Sequence, residues 1–166
     1  DIVHDDLSLL PEIKRIDRAL NSPWLYAAGN HDVDFDAVND EGSLESFREQ
    51  FGPDTYAWEE SLANFIVLDD VVYLPGKSPE YIGGIRETQF HFLARYLARA
   101  DKSKLLVISA HIPFFQIQAN RETFRSRDRK RLFALLEPFK NVLLLTAHSH
   151  TQTQILHDAN SDWYGA

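Results

Sequence analysis

At 166 residues, 44% of them hydrophobic and 12% aromatic, the chain is long enough to bury one real core and too apolar to be disordered. A formal charge of −8 argues against general polyanion binding, and the absence of cysteine excludes disulfides and thiolate ligands. No apolar run approaches membrane-spanning length, and nothing in the composition assigns a compartment.

Asp5 and Asp6 read as capping or solvated carboxylates ahead of a first helix. Pro11 suits the first turn of that helix, Ile13, Ile16 and Leu20 share one of its faces, and Asn21-Ser22-Pro23 ends it. The apolar run Trp24-Leu25-Tyr26-Ala27-Ala28 reads as a buried parallel strand that delivers Gly29-Asn30-His31-Asp32. Residues 44–51 read as a short helix closed by Gly52-Pro53, and strands near 55–58, 64–68 and 71–74 are assigned to a second sheet. Between 86 and 100, Phe90, Leu93, Ala94 and Leu97 make a helical stripe that leads into a strand over 105–108 and then Ser109-Ala110-His111-Ile112-Pro113. A helix over 127–136, stopped by Pro138, precedes a strand over 142–145 and Ala147-His148-Ser149-His150, behind which 152–156 hairpins back. Helices and strands alternate without a repeat or linker, so one α/β domain spanning residues 1–166 is expected.

All three histidine segments come directly after apolar strand-like runs, which predicts that their polar tips gather along one carboxyl edge of the sheet. Imidazole, amide and carboxylate donors together suit ions such as Zn, Mn or Fe. His148 and His150 are two apart: an extended strand would point both to one side, whereas a sharp loop would aim them at different ions.

In this order, Gly-Asn-His-Asp, a lone histidine after a later strand and a terminal His-x-His resemble the calcineurin-like metallophosphoesterases, and Asp1-Ile2-Val3 resembles the segment that begins at the Asp of that family's Gly-Asp motif. The resemblance runs from Asp1 to about His150. It implies an α/β/β/α sandwich of two mixed sheets flanked by helices, and hydrolysis of phosphate esters by metal-activated water at a dinuclear centre. Asp1 would bridge two ions, Asn30, His111 and His148 would complete one site, and His150 would belong to the other. His31 would face the phosphate as a catalytic and substrate-binding group, and Asp32 would orient it.

The family's opening Asp-x-His motif has no counterpart here, and the chain contains no methionine. The chain is therefore expected to be a piece of a larger enzyme, incomplete at both ends and lacking N-terminal strands. Two divalent ions (Mn, Fe or Zn) are expected in the intact parent and at most one tightly held ion in this chain. Ala147 stands where the family commonly has Gly, which puts the loop geometry in question. His4, His91 and His157 match no motif position and read as structural or surface residues. Arg121 to Arg131 carries six basic and two acidic side chains and reads as a solvated loop and helix face, with too few aromatics to stack bases. Phe114 and Phe115 either wall a cleft or pack in the core. The partner implied is a phosphorylated small molecule or macromolecule, with no nucleic-acid binding beyond a substrate and no membrane segment. The alternative to the enzyme is a non-catalytic domain that keeps a partial metal site for binding.

Overall fold

The computed structural model describes residues 1–115 and 126–154. It has four helices, α1 (Leu10–Ala19), α2 (Glu45–Phe51), α3 (Glu87–Arg99) and α4 (Arg129–Leu136), and six strands, β1 (Tyr56–Glu59), β2 (Ala63–Val67), β3 (Val71–Tyr73), β4 (Tyr81–Gly83), β5 (Leu105–Ser109) and β6 (Val142–Leu145), among the described residues. Strands β1-β2-β5-β6 form a mixed sheet, antiparallel between β1 and β2 and parallel from β2 through β6. β3 and β4 form a separate antiparallel pair. The α/β architecture with two sheets and flanking helices is as expected, but β1 and β2 lie in the main sheet rather than the second one. The reason is pairing: β2 lines up with β5 over its whole length, from Ala63 opposite Leu105 to Val67 opposite Ser109.

α3 and α4 cover one face of the main sheet. Phe90, Leu93 and Leu97 from α3 and Leu132, Phe133 and Leu136 from α4 pack with Ile66, Leu106 and Ile108, all buried. Phe114 is buried in this cluster and Phe115 stacks on Phe133 at 5.2 Å, so both belong to the core rather than a cleft wall. A second cluster joins β3 to α2 and the N-terminal segment through Tyr26, Ala28, Leu44, Phe47, Val71 and Tyr73.

Two local expectations are corrected. Residues 24–28 are not a strand: among the described residues they have no ladder partner, and only Tyr26 and Ala28 are buried while Trp24 and Leu25 are half exposed. In α1 the inward face is Leu10, Ile13 and Asp17, whereas Ile16 and Leu20 face water. The supposed hairpin at 152–156 and the 121–125 part of the basic stretch fall partly or wholly outside the described residues. Within that stretch, Ser126 is buried and Asp128 accepts from the Ile85 amide, so this part is tied to the fold, whereas Arg131 pairs with Glu87 on an exposed helix face.

Candidate metal centre

The parallel strands β5 and β6 end side by side, and each leads directly into a histidine loop. Ala110 and Ala147 continue the ladder for one step, their amides donating to Leu145 and His111 carbonyls. Beyond that point His148 and His150 adopt positive φ, 60° and 51°, while Ala147 does not. The left-handed turns that Ala would resist thus fall on the histidines themselves, and such strain in a non-glycine residue is characteristic of functional loops. The two imidazoles do not share a strand face: His148 is half buried and His150 exposed.

His111 is the centre of the arrangement. Its Nε2 lies 2.9 Å from Asn30 Oδ1, 3.0 Å from His148 Nδ1 and 3.4 Å from Asp1 Oδ1. Bond lengths of about 2.1 Å to a common ion put neighbouring donor atoms roughly 3.0–3.4 Å apart, close to the spacing that each of these three donors keeps from His111 Nε2. Burial pushes the His111 imidazole well below its usual range, and His148, His31 and His150 nearby act in the same direction. It is therefore neutral at physiological pH, the form that ligates.

Gly29 makes this convergence sterically feasible. A Cβ there would sit 2.1 Å from Asp1 Oδ1, 2.6 Å from Asp1 N and 2.8 Å from His111 Nδ1. Its φ of −118° is open to any residue, so the requirement is for space.

Asp32, expected to orient His31, does something else. Its two oxygens accept from the amides of Ile2, Val3 and Gly29 at 2.8–3.0 Å, and the side chain is fully buried. It fastens the Asp1 end of the chain to the Gly29 turn, while the amide of His31 donates to Asp1 Oδ1 at 3.1 Å. The carboxylate that reaches the His31 ring is Asp5, 2.7 Å from Nδ1, and His4 Nδ1 lies 3.1 Å from the same atom. Asp6 caps as expected, accepting from the Ser8 amide, whereas Asp5 is neither a cap nor simply solvated. His4, Asp5 and His31 bring ligand atoms within 4.8 Å of one another.

A further residue carries no sequence signal. Asp70, fully buried in the turn between β2 and β3, accepts from the amides of His111 and Ile112, both at 2.9 Å, and so fixes where the loop after β5 points. Burial raises its carboxyl well above the usual range. His91 lies on the exposed side of α3 beside Glu87. No described helix is long and apolar enough to cross a membrane.

A family model described as calcineurin-like phosphoesterase matches residues 1–152. No curated protein matches the chain.

Proposed function

The chain belongs to the calcineurin-like phosphoesterase family, and on that premise we propose that it hydrolyses phosphate esters at a dinuclear centre that draws on Asp1, Asn30, His111, His148 and His150, with at most one ion held tightly by this chain. The observation that carries the reading is the gathering of Asn30, His148 and Asp1 donor atoms within 3.4 Å of His111 Nε2. Divalent ions, when bound, supply an acidified water and positive charge opposite the phosphoryl oxygens. Nitrogen and oxygen donors without thiolate suit Mn, Fe or Zn.

The chain's own groups divide the remaining work. Asn30, His111 and His148 would hold one ion, with Asp1 shared between the two and His150 serving the second. Asp32 and Asp70 set the backbone on which these ligands ride. Asp5 Oδ1 holds His31 through Nδ1, which leaves the other ring nitrogen for a phosphoryl or leaving oxygen. With a net charge of −8, attraction for a phosphorylated substrate comes from the centre rather than from the surface as a whole.

Metal analysis and turnover of p-nitrophenyl phosphate and bis(p-nitrophenyl) phosphate, with Mn, Zn and Fe supplied in turn, test this. The chain should retain metal and turn over at least one ester. His148→Ala should lose metal, with turnover falling by orders of magnitude, whereas His91→Ala should change neither. Equal metal loss in the two variants would refute the ligand assignment, and full metal content with no turnover would favour a binding domain.

A further inference from the structure

We infer that His4, Asp5 and His31 form a separate site for a borderline-soft divalent cation, zinc above all, at the rim of the proposed centre. The inference rests on that reading only for its consequence, because the site shares His31 with the reaction.

The donor set comes first. His4 Nδ1 and His31 Nδ1 are 3.1 Å apart, Asp5 Oδ1 is 2.7 Å from His31 Nδ1, and Asp5 Oδ2 is 3.5 Å from His4 Nδ1. Tetrahedral zinc with bonds of about 2.0–2.1 Å needs neighbouring donors about 3.3 Å apart, so these spacings require only small adjustments. With each ring's proton on Nε2, the two facing Nδ1 atoms beside a carboxylate present two lone pairs and a negative charge to one point, which suits a cation.

The groups are also held in advance. Asp5 adopts a positive φ of 64°, and its amide donates to the His31 carbonyl at 3.2 Å. Asp32 clamps Ile2 and Val3 immediately upstream, so the chain presents His4 and Asp5 to His31 rather than to solvent at random. The side chains of His4 and Asp5 are 81% and 51% exposed, which leaves an approach for the ion and room for water as a fourth ligand. Filling the rim replaces the His31–Asp5 contact with a metal bond, so added zinc lowers turnover.

Cobalt(II), which reports tetrahedral coordination through its visible absorption, is the probe. The full chain should take up one more equivalent than His4→Ala, and His148→Ala should lose the deep ion while keeping the rim ion. His4 is exposed, so its removal should leave the melting temperature unchanged. Added zinc should inhibit the unsubstituted chain more than His4→Ala. Identical cobalt uptake by the chain and His4→Ala overturns the rim site whatever the activity. Uptake that differs as stated in a chain with no esterase turnover upholds the rim site and defeats the function proposed above.

Discussion

Gly29 shows how a single missing carbon admits a site. A methyl at this position meets a carboxylate, a backbone nitrogen and a ring that Asn30 and His148 hold in place, so at least one must move. Gly29→Ala should cost about 1–3 kcal/mol as overpacking and weaken metal retention, read by equilibrium dialysis alongside the melting temperature. Wild-type metal content in that variant would mean the approach of Asp1 to His111 is unimportant. Asp32→Ala is expected to act differently, stranding the buried amides of Val3 and Gly29 at roughly 1–3 kcal/mol each, and the half-buried Ile2 amide at less. Its activity loss should therefore track unfolding, which urea melts would show; loss of turnover at unchanged stability would restore it to the reaction itself. Histidines 111, 148 and 150 are legible in the sequence because they come after apolar runs that are the sheet strands β5 and β6, whereas the run before His31 forms no strand and that residue is reached through its Gly-Asn-His-Asp motif. The partners Asp5, His4 and Asp70 are not, since an aspartate beside an amide or a ring across 26 or 41 residues leaves no local pattern.

Among the elements, long periodic stretches are readable and short ones are not. Helix α3 shows the 3.6-residue stripe over thirteen residues, and the pattern anticipates its span to within a residue at each end. β4 has only three residues, and its pairing with β3 depends on the loop between them rather than on any alternation. The join between the second sheet and the helical layer is polar and equally invisible in sequence. Arg86, at the start of α3, pairs with Asp40 and with Asp69 at 2.5 Å, and donates to the Val71 carbonyl at 2.9 Å. Arg86→Ala leaves Asp69 buried without its cation, a change expected to cost about 3–5 kcal/mol in a urea melt. Burial pushes Asp69 up to about 6 in spite of Arg86, so the folded state holds that proton more tightly than the unfolded chain. Stability from this group is therefore lost as pH rises from about 4 to about 6, on the order of 3 kcal/mol. Asp69→Asn should make melting temperature fall less steeply with pH across that window, with the equally buried Asp70 keeping the remaining slope, and an unaltered slope would show that Asp69 titrates normally.

At the scale of the whole molecule, the two faces of the main sheet are treated unequally. α3 and α4 seal one, but the register that sets Val107 opposite Leu143 and Ser109 opposite Leu145 turns both leucines to the other face, where they are 44% and 48% exposed. Leu105 shares that face at 38% exposure, and among the described residues β6 has a strand on one side only. Trp24 and Leu25 add exposed apolar area elsewhere, at 50% and 57%. A sheet edge with an apolar face and unpaired backbone groups is a template for association, and a net charge of −8 opposes it only weakly once salt shortens the reach of repulsion to about 8–10 Å. The 166-residue chain should therefore self-associate with increasing concentration in sedimentation velocity, more so at high salt. Leu143→Lys combined with Leu145→Lys places charge on both the face and the edge and should shift the distribution toward monomer without loss of metal, since both positions lie in β6, short of the histidine loop. A chain that stays monomeric across the concentration range, or a double variant that associates as before, would show that this face does not drive association.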